Sequence, residues 1–277
     1  MDNDLFVCQV YVDDIIFGST NEKLCKEFGK MMTKEFEMSM IGELTFFLGF
    51  QIKQLKEGTF IYQEKYTRDL LKRFKMDDCK PIETPMATNT KLDADESGIK
   101  FQADPKESHI TAVKRILRYL KHTPSIGLWY PKGASVLNSW ATRIRTLPNA
   151  ELSSTSGGCY LLGRSLVSWS SKKQNCVSLS TAEAEYIAAG SSCAQLLYMK
   201  QTLLDYGVKL SRIPLLCDNE SAVKLANNPH IDIRHHFIRD HVAKGDILLR
   251  NVGTKEQLVD IFTKPLDDSN FCRYEVS

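Results

Sequence analysis

Long hydrophobic runs are missing from this sequence. No apolar stretch approaches the roughly 20 residues that a membrane-spanning helix needs, and residues 1–20 lack the basic start and cleavage site of a secretory leader. A large net charge is missing too. The formal net charge of +2 is too small to indicate nucleic-acid binding by itself. We therefore expect an intracellular protein that does not contact membranes.

Paired metal-binding cysteines are also missing. The eight cysteines, at positions 8, 25, 79, 159, 176, 193, 217 and 272, form no Cys-x-x-Cys pair, and no histidine lies at zinc-finger spacing. This scatter indicates free thiols in a reducing compartment. The chain has 277 residues, 43% hydrophobic and 25% charged, which is enough for one large or two ordinary globular domains.

Two adjacent carboxylates lie between short apolar runs near the start of the chain. Leu5 to Val12 leads into Asp13 and Asp14, and Ile15-Ile16-Phe17 follows them, which predicts a β-hairpin with the carboxylates at its bend. Neighbouring anions repel each other, so a site that keeps both ionised usually holds a divalent metal. The alternative is a solvated turn without a ligand.

Three further motifs follow this hairpin in order. They are Phe47-Leu48-Gly49-Phe50-Gln51-Ile52, Ser180-Thr181-Ala182-Glu183-Ala184-Glu185-Tyr186 and Asp260-Ile261-Phe262-Thr263-Lys264-Pro265-Leu266. Together with Tyr11-Val12-Asp13-Asp14, this series resembles the Pol polyproteins of Ty1/copia-type retrotransposons, from the later part of the reverse transcriptase through ribonuclease H.

The resemblance implies a fold of the α+β or α/β class. We expect a partial reverse-transcriptase palm and thumb at 1–77, a linker and connection helix at 78–134, and a ribonuclease H-like mixed sheet with flanking helices at 135–277. It also implies Mg²⁺ as the cofactor, with Asp13 and Asp14 as metal ligands. The implied partner is an RNA–DNA hybrid or a template–primer duplex, with no small-molecule cofactor.

The first half of the chain shows clear helical and strand patterns. Asn21 is placed to cap an amphipathic helix, a second hairpin is predicted at 44–62, and 64–76 has helical periodicity. A polar linker follows at 78–105. Pro105 then opens a helix with an apolar stripe at Ile110, Val113, Leu117 and Leu120.

The other side of that helix is basic. It carries Lys114, Arg115, Arg118 and Lys121. Such a face is able to follow the phosphates of a nucleic-acid duplex. A solvated basic face that binds nothing is the alternative interpretation.

The second half alternates strands and helices as a mixed sheet requires. Strands are predicted at 159–162, 166–170, 176–179, 213–217 and 247–252. A long helix capped by Ser180 or Thr181 follows the third strand, and a last helix is predicted at 255–262.

Ribonuclease H chemistry needs about four carboxylates that converge on two metals. The resemblance implies Glu185, Asp218 and Asp260 as three of them. Glu183 lies on a different helical face from Glu185 and is not assigned. The fourth ligand is missing, and so we expect a catalytically impaired chain.

In the family, the fourth ligand lies in the stretch that corresponds to residues 140–149. There the family has a first strand ending in Gly-Tyr-Ser-Asp-x-Asp-aromatic-Ala, whose first Asp is the central ligand. The stretch can be back-translated with selected synonymous codons. When this DNA is read in the frame that starts at the third base of each codon, it encodes Gly-Tyr-Ser-Asp-Ser-Asp-Phe-Ala. We hypothesise a local frameshift that begins near Ser139 and is corrected before Ser154, which the gene sequence tests.

A missing central strand would leave apolar edges of the ribonuclease H sheet unpaired. The alternative is that Trp140 to Leu147 pairs there, since it is moderately apolar, although Arg143 and Arg145 fit an interior strand poorly. Two other functions stay open. One is an active magnesium-dependent ribonuclease H that recruits Glu151 or Glu183, and the other is a nucleic-acid-binding module that uses the helix at 106–121.

Overall fold

The computed structural model describes residues 4–86, 105–133, 140–147, 154–175, 178–227 and 237–253, with the single positions 259, 261 and 266. Of the strand 140–147 it describes only one side chain, that of Ile144. Asp260, Glu151 and most of the helix predicted at 255–262 lie outside the described residues. Among the described residues, no helix is both long enough and apolar enough to cross a bilayer.

The predicted first hairpin and its helix are confirmed. Strands β1 (Phe6–Tyr11) and β2 (Asp14–Ser19) pair antiparallel, and helix α1 (Glu22–Glu35) follows. The side chain of Asn21 accepts the first helical hydrogen bond, from the Lys23 amide. Phe28 of α1 packs on the hairpin, with ring centroids 5.1 Å from Phe6 and 4.8 Å from Phe17.

A four-stranded antiparallel sheet comes next. It contains β3 (Phe46–Phe47), β4 (Phe50–Gln54), β5 (Gly58–Tyr62) and β6 (Gly127–Pro131), in that order. Helix α2 (Glu64–Arg73) follows β5. Since β6 pairs with β5, part of the predicted connection segment shares a sheet with part of the predicted palm and thumb. The domain boundaries at 77 and 134 stay predictions.

The amphipathic helix after Pro105 is present as α3 (Glu107–His122). Its predicted apolar stripe is only partly buried. Leu117 is buried, but Ile110 and Val113 are 43% and 55% exposed. The buried residues of the helix are His109 and Leu117, and the helix packs against α2.

The second half forms a five-stranded mixed sheet. Its strands are β7 (Trp140–Leu147), β8 (Thr155–Leu162), β9 (Ser165–Lys173), β10 (Ile213–Cys217) and β11 (Ile247–Asn251). The spatial order is β11-β10-β7-β8-β9, with β10 parallel to both neighbours and the remaining pairs antiparallel. The flanking helices are α4 (Thr181–Asp205), α5 (Glu220–Asn227) and α6 (Phe237–Ala243). This arrangement confirms the predicted mixed sheet with flanking helices.

One expectation about this sheet is wrong in its described part, and the alternative for Trp140 to Leu147 is confirmed. Residues 178 and 179 lie in no strand, and 176–177 are outside the described residues, so the strand predicted at 176–179 is not found where it can be examined. The central strand is present, since β7 pairs with β8 along its whole length and with β10 at residues 142–144. Strand pairing uses main-chain groups, which the two arginines of β7 supply as well as any residue.

A hydrogen bond joins the four-stranded sheet to the five-stranded sheet. The Tyr130 hydroxyl of β6 donates to the Leu166 carbonyl of β9, over 2.9 Å. Burial raises the pKa of Tyr130 above its ordinary value, so this hydroxyl keeps its proton and remains a donor at neutral pH.

Gly127 permits the close pairing of β5 and β6. A Cβ at this position would lie 2.3 Å from the Ile61 carbonyl oxygen and 2.8 Å from the Phe60 ring. We expect Gly127→Ala to lower the free energy of unfolding by about 1–3 kcal/mol, as overpacking does elsewhere. Gly18→Ala on β2 is the matched control, because nothing lies within 4 Å of its added Cβ. Urea denaturation measures both, and equal stability of the two variants would contradict the β5–β6 register.

Candidate metal centre

The first predicted metal pair lies on an exposed turn. Val12 and Asp13 form the two-residue loop of the hairpin, and Asp14 pairs with Tyr11. Val12 adopts a positive φ of 51° and is 82% exposed, an unusual conformation for a β-branched residue. Asp13 and Asp14 are both exposed, and in the described part of the chain they belong to no group of three metal-ligating side chains.

The second predicted group is brought together by the mixed sheet. Ligand atoms of Glu185, Cys217 and Asp218 all lie within 4.8 Å of one another. Glu185 projects from α4 and is only 5% exposed. Cys217 ends β10 and is fully buried, and Asp218 follows it directly at intermediate exposure. The structure thus places Glu185 beside Asp218, as the motifs predicted, whereas their metal-binding role stays a prediction.

The start of α4 fixes the position of Glu185. Ser180 caps the helix, and its hydroxyl accepts a hydrogen bond from the Glu183 amide. The Glu183 carboxylate accepts in turn from the amide of Leu179, the residue before the cap, over 2.7 Å. Glu183 is therefore committed to the helix cap, which disfavours its recruitment as a replacement ligand.

Cys217 was missed by the sequence analysis, although one signal was available. Ile213, Leu215 and Cys217 alternate with less buried residues along β10, so Cys217 faces the same side of the sheet as two core residues. Its thiol donates to Glu185 Oε2 over 3.8 Å and accepts from the Asn219 amide over 3.4 Å. The spacing of the cysteines along the sequence does not show that Glu185 is a partner of Cys217.

Burial controls the protonation of this thiol. Desolvation, followed by the nearby Glu185 carboxylate, raises the pKa of Cys217 to about 12. A raised pKa means that the thiol is protonated at neutral pH, which is the form that donates to Glu185. Burial also raises the pKa of Tyr186, the next residue on α4.

Ile144 occupies the central strand beside this cluster. It is fully buried, and it lies opposite Gly158 of β8 and opposite Cys217 of β10. Residues in register on adjacent strands face the same side of a sheet, so Ile144 and Cys217 both face α4. Ile144 shares one core cluster with Tyr186, Ala189 and Cys217. The side chain nearest in register to the carboxylates is therefore apolar.

Three of the four residues on the predicted basic face of α3 donate hydrogen bonds to another segment of the chain. Arg115 donates to the carbonyl and hydroxyl of Thr84, Arg118 donates to the Lys80 carbonyl, and Lys121 donates to the Asp77 and Cys79 carbonyls. These bonds fasten the 77–84 segment to the helix. Lys114 is exposed and forms no ion pair with another described residue.

Comparison with known proteins agrees with the order of the motifs. A family model for reverse transcriptase (RNA-dependent DNA polymerase) matches residues 1–88. The Retrovirus-related Pol polyprotein from transposon RE2 of Arabidopsis thaliana is 33% identical over 316 residues, which cover 96% of this chain and 22% of that protein. The corresponding polyprotein from transposon RE1 of the same plant is 33% identical over 321 residues, which cover 98% of this chain and 22% of the relative.

The chain thus spans about a fifth of the length of these relatives. Among solved structures, a foamy viral protease-reverse transcriptase in complex with dsDNA aligns with 89% of this chain and 55% of its own, at 12% identity and a TM-score of 0.47. The sequence relatives come from copia-type transposons and match almost from end to end of this chain. The chain therefore belongs to the family of Pol polyproteins from copia-type retrotransposons.

Proposed function

We propose that this chain is a catalytically impaired part of a copia-type Pol polyprotein, with a reverse-transcriptase segment and a ribonuclease H-like segment. The observation that carries the proposal is Ile144. It lies fully buried on the central strand, in register with Cys217, where a carboxylate would join Glu185 and Asp218. An apolar side chain at this position supplies no oxygen to a metal.

Hydrolysis of a hybrid strand by this fold class depends on clustered carboxylates. Mg²⁺ ions held by them would activate a water and stabilise the leaving oxygen. Glu185 and Asp218 are two of the proposed ligands, which their proximity supports, and Asp260 is the further ligand that the family motif implies. With no carboxylate at position 144, the set offers too little negative charge to hold two such ions at a phosphate.

The reverse-transcriptase segment contributes Asp13 and Asp14 as its proposed metal pair. Both carboxylates sit on an exposed turn, where water competes with them for any ion. We propose that they bind Mg²⁺ weakly in this chain. A template–primer duplex or an RNA–DNA hybrid is the proposed partner of the chain.

Restoring the carboxylate tests the proposal. The wild-type chain should not cleave an RNA–DNA hybrid in Mg²⁺ above background, and Ile144→Asp should raise the rate by roughly a hundredfold or more, because one lost member of a catalytic set costs several orders of magnitude. A hybrid labelled on its RNA strand gives the readout.

The matched control is Ile144→Asn, which has the size and polarity of Asp without its charge. It should stay inactive, and circular dichroism of all three proteins checks that the buried substitution is tolerated. Activity of Ile144→Asp should vanish when Glu185→Gln is added. Cleavage by the wild-type chain that Glu185→Gln and Asp218→Asn abolish would overturn the proposal in favour of an active ribonuclease H.

A second function, nucleic-acid binding without catalysis, is favoured by Lys114. This side chain is exposed on α3, whereas Arg115, Arg118 and Lys121 of the same helix donate hydrogen bonds to the 77–84 segment. We propose that Lys114 contacts phosphate and that the other three mainly position the helix. The two roles predict different effects of charge reversal.

Lys114→Glu should weaken binding of an RNA–DNA hybrid and lower the salt slope of the association constant by about 1, with unchanged stability. Arg118→Glu should lower the stability as well, since it breaks a bond to the main chain. Lys30→Glu on α1 is the control for net charge. Fluorescence anisotropy across a salt series measures binding, and an equal effect of Lys30→Glu would show that α3 has no particular role.

A further inference from the structure

The cluster beside Ile144 combines hard and soft donors. Two are carboxylates, from Glu185 and Asp218, and the third is the Cys217 thiol. We infer that Glu185, Cys217 and Asp218 form a site for a thiophilic divalent cation of the Zn²⁺ class, which it binds in preference to Mg²⁺. The inference rests on the proposed function in one respect, that position 144 adds no carboxylate.

The donor chemistry does not fit Mg²⁺. This ion takes six oxygen ligands in a near-regular octahedron and keeps several of its waters. One of the three donors here is sulfur, which Mg²⁺ disfavours. Glu185 is 5% exposed and Cys217 is fully buried, with the apolar Ile144 in register beside them, so little room remains for a hydrated ion.

The same donors do fit Zn²⁺. Zinc accepts mixed sulfur and oxygen ligands in a tetrahedron, at about 2.3 Å to sulfur and about 2.0 Å to oxygen, which separates a bound sulfur and oxygen by roughly 3.5 Å. Cys217 Sγ and Glu185 Oε2 are 3.8 Å apart, and Asp218 lies within 4.8 Å of both. Small side-chain adjustments therefore close three corners of a tetrahedron, and a water takes the fourth.

One contact of Cys217 would stabilise a metal-bound thiolate. The Asn219 amide already donates to Cys217 Sγ over 3.4 Å, and this bond would persist to a metal-bound sulfur. On binding, the S–H proton passes to solvent and the sulfur electron pair bonds to the cation. Two carboxylates and one thiolate carry three negative charges, which the cation lowers to one. Asp218, at intermediate exposure, provides the side from which the ion enters.

Cobalt replaces zinc as a coloured probe, because a thiolate ligand gives Co²⁺ a charge-transfer band in the near ultraviolet. The full-length chain, reduced and free of metal, should develop this band on titration with Co²⁺. Added Zn²⁺ should remove the band stoichiometrically, whereas a large excess of Mg²⁺ should leave it unchanged. No nucleic acid is present in this experiment.

The variants separate this site from the other cysteines. Cys217→Ser should abolish the band and weaken Zn²⁺ binding by at least roughly tenfold. Cys193→Ser is the matched control, since Cys193 is equally buried, in α4, but lies outside the cluster. If Cys217→Ser does not fold, Asp218→Asn decides, because it should keep the band but require more Co²⁺.

The absence of a band in the wild-type chain would overturn the inference, and so would a band that Cys217→Ser leaves intact or that Mg²⁺ removes. The proposed function fails on a different result, Mg²⁺-dependent hybrid cleavage by the wild-type chain. A band together with cleavage would reject only the proposed function. A chain with neither would reject only the zinc site.

Discussion

The structure of the second half depends on the pairing of β7 with β8 on one side and with β10 on the other. Without β7, two strands would expose unpaired main-chain groups inside the sheet, a costly arrangement that also invites aggregation. The pairing holds β10 in register, and through β10 it places Cys217 and Asp218 against α4. The candidate metal centre therefore depends on a strand whose one described side chain, that of Ile144, supplies no ligand atom.

At position 144, the requirements of the fold differ from those of a metal site. Main-chain hydrogen bonds form whatever the side chains are, and the interior accepts Ile144 because it is apolar and fits the core around Tyr186 and Ala189. A ligand set is less tolerant, because it needs an oxygen at that place. In the hypothesised original reading frame, the Asp codon takes the last base of codon 143 and the first two of codon 144, so the sequence argument and the register point to the same residue.

Local features of the fold were predictable from the sequence, and the family motifs also predicted that Glu185 and Asp218 lie together, whereas two long-range features of the first half were not predictable. Asn21 and Ser180 mark helix starts because a cap acts within three residues, and Asp13 and Asp14 mark a turn for the same reason. The pairing of β6 with β5 joins residues more than sixty positions apart, and no periodicity encodes it. The hydrogen bonds from Arg118 and Lys121 to the Lys80 and Cys79 carbonyls span 38 and 42 positions, and no local pattern encodes them either, so the helix was interpreted as a basic face open to solvent or phosphate.

The Cys217 thiol is one group that helps the Glu185 carboxylate to tolerate burial. A buried carboxylate is unfavourable unless it is hydrogen-bonded. The protonated thiol supplies one donor to it, from a residue that the strand alternation already directs into the core. If position 144 once supplied a ligand, as the frameshift hypothesis holds, its loss leaves the Cys217 thiol in place as a partner of Glu185. The same sulfur, 3.8 Å from the Glu185 carboxylate, is the reason for which we propose that the cluster disfavours Mg²⁺.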